Sequence, residues 1–545
     1  MSSLFAQQIR KTNEIHFLLI LDFDGLKKYY ADSPIALGDF LFEDKLLSIS
    51  DIKSSFDIRS FRYSYPSISV TIKNPYDSTD RLQDIDALKI IDGGIGNIYI
   101  WTPGISWAQL MNEGPKFSGI FQENIYDDET FTFNLVDKSE SKFLNIPNSF
   151  INSDTFPQHK KDYAGYAQSV VFGDWNKGVP LYCSSEFYYQ FFVSSGIMYS
   201  GSTAFYSGEE HIYTNSGVTY TTFGYYLHDF ADKEGNIYSY ITMSGDQSAS
   251  EPLNCSIKGI KNLDNTLIEH PADIINYVFK NYSMFKSSEV DDSSIKTFKS
   301  SMSFGRCASI VNDNIDSSTF IDRLLSQFLC CRIVVGDKIG IMVPDLDKKS
   351  IASFTKSQHN IGERIPITKT DFNLIVNDLT VFYKLNPSTG NYEGRLRKHR
   401  TNNSKCKSSF FDYKSQKFEK VLYFSDINND AVANSLAERY LDFYSHRHHV
   451  VSMDMRYHEA FDLREGDVAL LTIPEGGNIN KGYGWVDERF LLIEKQYKKD
   501  CITTVWWKIN VVSKNNSPAV SGGSGVASGT GTGWLGDGWL GEGWL

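Results

Sequence analysis

The sequence predicts an α+β, mainly β protein: two barrel-like domains, smaller α/β domains, and a flexible C-terminal tail. Three observations predict it. Runs that alternate apolar and polar residues, the repeat of a strand with one buried face, recur near both ends of the chain. Runs with apolar residues three and four apart, the repeat of an amphipathic helix, occur in the middle and again before the last strands. After Val512 the composition collapses to Ser, Gly, Asn and Thr. A chain of 545 residues has room for about three to four domains, and an aromatic content of 14% suits β-rich cores and large interfaces.

Residues 15–23 form an apolar strand, too short to span a bilayer and closed by Asp22 and Asp24. Residues 47–57 and 63–73 read as two further strands. In the second, Ile68, Val70 and Ile72 alternate with Ser67, Ser69 and Thr71, and Asn74-Pro75 ends the run. Residues 87–91 and 97–101 read as a hairpin about Asp92-Gly93-Gly94. Residues 117–122 and 130–136 pair through the acidic turn Asp127-Asp128-Glu129. The stretch 15–140 is therefore a small antiparallel domain, closed or nearly so.

Residues 143–182 look irregular, and 183–245 are rich in Tyr, Phe, Ser and Gly, with short strands at 218–226 and 237–243. Tyrosine has an apolar body and a polar tip, so this region suits a sugar cleft, an interaction face or a polar-edged core. Over 267–282 the period becomes helical. Ile274, Ile275, Val278, Phe279 and Tyr282 share a face, and Pro271 sits where a missing amide costs nothing. A second helix places Phe320, Ile321, Leu324, Leu325 and Phe328 on one side, with Ser317 or Ser318 as its cap. A hairpin follows at 332–343 about Gly336-Asp337, and another at 372–391 about Pro387 to Gly390.

Residues 394–421 are basic, with Arg395, Arg397, Lys398, His399, Arg400, Lys405 and Lys407. They read as a loop, either phosphate-contacting or facing solvent or a partner. The last structured stretch opens with a helix burying Ala433, Leu436, Ala437, Tyr440, Leu441 and Tyr444, capped by Asn429 or Asp430. Val451, Met453, Met455 and Tyr457 then alternate with polar residues, and strands follow at 468–473, 489–497 and 502–512.

No Walker, G-x-S-x-G or H-E-x-x-H motif occurs. His446, His448 and His449 cluster without a carboxylate or Cys at ligand spacing. The acidic pairs Asp127/Asp128 and Asp291/Asp292 lie in turn-like polar runs. The expectation is a protein that is not an enzyme and has no metal or cofactor. The charge, 54 minus 66 or −12, gives no basic footprint for sequence-specific nucleic-acid binding. Seven scattered Cys without a C-x-x-C suggest free, buried thiols and a reducing compartment. The N-terminus shows no signal-peptide core, and no transmembrane span is expected.

Several phrases also resemble one family. In order they are Lys116-Phe-Ser-Gly-Ile-Phe121, Asp127-Asp-Glu-Thr-Phe-Thr-Phe-Asn-Leu135, and the "VFGDWNKGVPL" run at 171–181. The helix "HPADIINYVFKNY" at 270–282 follows, then "DLREGDVALLTIPEGG" with "GYGWVDERFLLIEKQYK" at 462–498. Across 15–512 they resemble the tail hub, or baseplate hub, proteins of tailed bacteriophages. The resemblance implies tail-tube-type barrels at about 15–140 and 365–512 and a homotrimer whose ring of six barrels meets a sixfold tail tube. It divides the chain into 1–142 (first barrel), 143–252 (Tyr-rich β region), 253–364 (helix–hairpin α/β domain), 365–512 (second barrel) and 513–545 (linker and tail). The implied partners are the distal tail or tail tube protein, the tape measure protein and a central spike or fibre, with genomic DNA passing through unbound. The place would be the virion tail tip, assembled in the host cytoplasm. The competing reading is a carbohydrate-binding or glycan-cleaving tail protein using 183–245.

The chain ends in three five-residue copies, Gly531 to Leu535, Gly536 to Leu540 and Gly541 to Leu545. Each carries a Trp-Leu pair: Trp534 and Leu535, Trp539 and Leu540, Trp544 and Leu545. Exposed Trp-Leu pairs are a liability without a pocket, so these six residues are the expected partner-binding site. The expected route to the partner is the spike or fibre, through the Gly/Ser linker.

Overall fold

The computed structural model describes residues 3–509, apart from 65–66, 75–81, 83–92, 152–163, 181, 186–189, 196–203, 208–209, 215–224, 232–236, 244–252, 263, 265, 363, 388 and 478–483. The described residues belong to one unit, Met1–Asn510. The fold is mainly β with two barrel-like sheets, as the sequence predicts.

The first sheet runs Leu26–Ala31, His16–Phe23, Ile95–Trp101, Phe117–Tyr126, Thr130–Asp137, Ile68–Lys73 and Leu46–Ile49, every neighbour antiparallel. The segment leading into the last strand also borders the first. The Ala31 amide donates to the Glu43 carbonyl at 2.8 Å, the Glu43 amide donates to Tyr29 at 3.0 Å, and Lys73 donates to Lys45 at 2.7 Å. One segment thus touches both edges and closes the sheet, which removes its unpaired edges. The alternation read in the sequence points Ile68, Val70, Ile72, Phe131, Phe133 and Leu135 into one core, with Leu19, Leu21 and Ile98. Leu18, Ile20 and Ile100 face the other way, into a second core under the helix Leu4–Thr12.

The second sheet orders Ala352–Thr355, Val468–Ile473, Trp485–Tyr497, Ile502–Lys508, His449–Met455 and Ile367–Lys369. Only the first pair is parallel. Here too one segment borders both edges: Ala352–Thr355 lies on one side, and Ile361 donates to the Asp454 carbonyl at 2.7 Å on the other. The sheet therefore begins before residue 365, and residues 378–444 leave it for a sheet and helices of their own.

The two sheets are stitched by strands that the sequence alone misassigned. The runs 47–57 and 63–73, each read as one strand, are each two. Leu46–Ile49 and Ile68–Lys73 stay in the first sheet. Ile52–Asp57 crosses to pair with Glu494 to Tyr497, and Arg62–Ser64 pairs with Ile52–Asp57. Alternation fixes which face a side chain takes but not which sheet the strand joins.

A helical layer packs on the second sheet through Val468, Leu491 and Trp507. Pro271–Asn281 starts with Pro271 in its first turn, and the His270 ring caps it by accepting from the Ala272 amide at 3.1 Å. Ser317–Gln327 is capped by Asp316, not by Ser317 or Ser318, which are buried helical residues. Asp291, read as part of a turn-like run, caps the helix Asp292–Ser301. The hairpin Cys331–Val335 with Lys338–Met342 turns at Gly336-Asp337 as expected. Ile274, Ile275, Val278, Phe279, Ile321 and Leu324 fill a core shared with the helix Asp430–Tyr444, whose cap is Asn429.

The stretch 143–182 is less irregular than its sequence suggests: it holds the strands Asn145–Ile146, Val170–Phe172 and Asp174–Pro180. The backbone of 174–258 builds two four-stranded sheets. At their base Asp174 pairs with Lys258, and the Gly259 amide donates to the Gly173 carbonyl at 2.7 Å. Gly173 has φ +76°, and a Cβ there would meet the Cys307 carbonyl oxygen at 1.9 Å. The side chains of 176–255, and with them any tyrosine-lined cleft, lie outside the described residues.

Candidate interaction surface

The basic run 394–421 is not a loop. It holds the strand Tyr392–Lys398, the helix Ser404–Asp412 and the strand Glu419–Phe424. With Asp378–Leu385 at the centre these make a three-stranded sheet, one pair antiparallel and one parallel. Leu379 and Val381 point from its back into the core shared with Asp430–Tyr444. Tyr383 joins them and donates to Asp430 at 2.7 Å. Its ring lies over Gly394, where a Cβ would sit 2.7 Å away, so only glycine fits opposite it.

Four of the cations in this run, Arg397, Lys398, Lys405 and Lys417, are neutralised by carboxylates of the sheet and of the helix behind it. Arg397 grips Asp378 with two hydrogen bonds of 2.8 and 2.6 Å, and Lys417 lies 3.0 Å from the same carboxylate. The Arg397 bond, ahead of Lys417, holds the Asp378 carboxyl below its usual range. Lys398 pairs with Glu438 at 2.9 Å and Lys405 with Asp442 at 2.6 Å, tying sheet and helix together. The phosphate-contacting loop is replaced by strand and helix, and four of its cations are already paired.

Aromatic rings gather on the sheet. Phe382 and Tyr423, cross-strand neighbours, stack at 5.4 Å with planes 13° apart. Tyr392 lies 5.4 Å from Tyr423 and 6.4 Å from Phe382, and the Arg395 guanidinium lies 5.7 Å from the Phe382 ring. Tyr423 is 60% exposed and Val421 46%. An aromatic cluster with an arginine, left open to solvent, has the composition of an interface centre.

A second cluster, with no sequence signature, sits where the two barrels are stitched. Lys495 is 3% exposed, and its ammonium donates to the Phe461 and Leu463 carbonyls at 2.7 Å each. Burial lowers it to about 7. Glu465 beside it accepts from the Ser54 hydroxyl, and burial pushes its carboxyl up. Lys116, from the first sheet, pairs with Glu113 at 2.7 Å and lies 4.2 Å from the Phe461 ring. The seam thus buries titratable groups, whose charged forms are costly there unless every donor finds an acceptor. The sole hint in the sequence is the alternation Ile493, Lys495, Tyr497, which puts a lysine among inward-facing positions.

The imidazoles of the His cluster take separate partners. His446 meets Asp412 at 3.0 Å, His448 stacks on Trp507 at 3.7 Å, and His449 meets Trp485 edge-on at 5.0 Å. Burial pushes His448 down to about 4, although its two nitrogens face the Lys508 and Phe443 carbonyls at 2.8 and 2.9 Å. Among the described residues no group of three His, Cys, Asp or Glu could hold a metal ion. Cys307, Cys330, Cys331 and Cys406 are free and buried, and burial drives Cys330 and Cys406 up to about 12, which makes them inert. A polar cleft of about 500 Å³ opens between Glu14 and Asp32 on one side and Arg456, His458 and Lys499 on the other. Its mixed charge does not suit an apolar ligand. Trp534, Leu535, Trp539, Leu540, Trp544 and Leu545 lie outside the described residues. No helix among the described residues is long and apolar enough to cross a membrane.

No protein-family model matches the chain, and no curated protein sequence is significantly similar to it. Solved structures are similar to it. The tail protein from Neisseria meningitidis MC58 is 8% identical, with a TM-score of 0.41 over 91% of this chain and 97% of that one. The 43 kDa tail protein of prophage MuSo2 from Shewanella oneidensis is 8% identical, with a TM-score of 0.39 over 90% and 98%. A chain of the virion of the native gene transfer agent particle is 10% identical, with a TM-score of 0.42 over 65% and 87%. The likeness is one of architecture, and no residue's role is taken from it.

Proposed function

We propose that the protein is a structural, non-enzymatic hub of a bacteriophage tail tip or baseplate, working as a homotrimer in the virion. The observation that carries this reading is the pair of closed barrels in one chain, stitched by Ile52–Asp57. Three copies would present six barrels, so a threefold protein could seat on a sixfold tube. Stitching the barrels by a shared ladder suits a part that must transmit force without its halves separating. The ordered phrases from Lys116 to Lys498 support the same reading.

In this role one face meets the tail tube and tape measure proteins and the other a threefold spike or fibre, with DNA passing through the centre. A net charge of −12 suits a channel that must not grip phosphates, since each phosphate held by Lys or Arg adds a salt-dependent hold. The test is the mass of the purified chain together with an image of the particle. The expected result is three copies around the tail axis. One copy or six at that position, or a monomer that binds oligosaccharides saturably, overturns the proposal, the last in favour of a carbohydrate-binding tail protein.

A further inference from the structure

We propose that the outer edge of Glu419–Phe424 receives an extended, carboxylate-bearing apolar strand of another protein, which extends the three-stranded sheet by edge pairing. The inference does not depend on the tail assignment.

The strand lies at the sheet's margin, with Asp378–Leu385 on its inner side only. The pattern of its backbone is fixed by Phe418, which precedes it. The Phe418 carbonyl accepts from the Asn377 and Asp378 amides, and its own amide donates to the Asn377 side chain. Phe418 therefore faces inward, and so, by alternation, do Lys420, Leu422 and Phe424. The amides and carbonyls of Glu419, Val421 and Tyr423 face outward, and among the described residues no strand pairs with that side. This leaves a row of open donors and acceptors beside 46%-exposed Val421 and 60%-exposed Tyr423.

Sheet edges are ordinarily blunted by charge, proline, a bulge or a cover. Here Glu419 and Lys420 guard the start, and the four residues after them, Val421 to Phe424, are apolar. An added strand would lay alternate side chains on the Phe382, Tyr392 and Tyr423 rings, which already contact one another. Main-chain bonds would supply affinity and the rings specificity. The charge of the occupant follows from what is left unpaired. Arg397, Lys417 and Lys384 have carboxylate partners. Arg395 on the ring face and Lys420 on the opposite face, beside Leu379, make no ion pair among the described residues, so each face keeps a cation that a carboxylate of an added strand would neutralise.

The test uses the full chain and a labelled peptide, acetyl-Asp-Val-Thr-Val-Asp-Val-Thr-amide, against the same peptide with Lys for Asp. Fluorescence anisotropy should show saturable binding of the acidic peptide, at least ~10-fold tighter than the lysine form. Hydrogen exchange should show protection of the Val421 and Tyr423 amides on binding. Val421→Pro removes an outward amide and leaves the inward ladder intact, so it should abolish binding with an unchanged circular dichroism spectrum. If that variant does not fold, Tyr423→Glu, which removes a ring and sets a negative charge on the edge, should weaken the acidic peptide's protection of Val421. No binding, equal binding of both peptides, or binding without protection at these amides overturns the proposal. So does concentration-dependent protection in the chain alone, which would give the edge to a second copy.

Discussion

Tyr497 stands opposite Ile52 in an antiparallel ladder, joining the end of the longest strand of the second barrel to a strand from the first tenth of the chain. Two residues before Tyr497, Lys495 is sealed into the same seam. Stability at that seam therefore has a defined pH dependence. Lys495 is lowered from 10.5 to about 7, so over that interval the unfolded chain binds the proton and the folded chain does not. Its contribution is most favourable at high pH, falls as pH drops from 10.5, and reaches its minimum below about 7. Lys495→Met should flatten the rise in urea midpoint between pH 7 and pH 10 relative to the wild type. Parallel curves for the two proteins would show that Lys495 is not buried as described.

Glu465 contributes with the opposite sign. Its carboxyl is raised, so the folded chain holds the proton more tightly and stability falls as pH rises from about 4.5. Glu465→Gln should lessen that fall while keeping an acceptor for the Ser54 hydroxyl. Urea denaturation from pH 4 to pH 8 reads the difference.

Asp378 answers to acid. Its carboxyl is held down by Arg397 first and Lys417 second, so its contribution is present above the usual carboxylate value and is lost as pH falls through the depressed one. Asp378→Asn should lower the denaturant midpoint at pH 7 and leave it nearly unchanged at pH 2. An equal loss at both would mean that packing, not the ion pairs, fastens the three-stranded sheet.

Gly173 marks where the 174–258 insertion leaves the body. Gly173→Ala combines a strained φ with a clash against the Cys307 carbonyl and should cost roughly 2–4 kcal/mol in equilibrium unfolding. Gly165→Ala, also at positive φ but with open space around it, should cost about 1 kcal/mol. Similar losses at both sites would remove the argument for a tight neck.

The C-terminal repeats should dock a partner. A Gly/Ser-rich segment of 18 residues, the length of 513–530, is expected from its composition to span roughly 25 Å. Ending the chain after Val512 should leave the fold and the oligomer unchanged and abolish attachment of the next tip protein. A truncated chain that still assembles an infectious tip would make the repeats a passive appendage.

What short-range chemistry controls is legible in the residues themselves. Alternation at Ile68, Val70 and Ile72, helical spacing from Ile274 to Phe279, Pro271 in a first turn and Asn429 as a cap all reside within a few residues, and each appears in the structure where the pattern places it. Tertiary structure alone decided which strands meet. The pattern of Ile52–Asp57 is satisfied equally by either barrel, and only the packing of Phe56, Phe61 and Tyr444 and the ladder to Tyr497 select the second. The basic run 394–421 gave no sign of its acidic partners, because Asp378, Glu438 and Asp442 are distant in the chain and become neighbours only when Asp430–Tyr444 docks behind the sheet. Alternation sets Lys495 in line with Ile493 and Tyr497 but does not bury it, since lysine ordinarily stays at the surface and is held inside here by two backbone carbonyls that the 461–463 turn brings within reach.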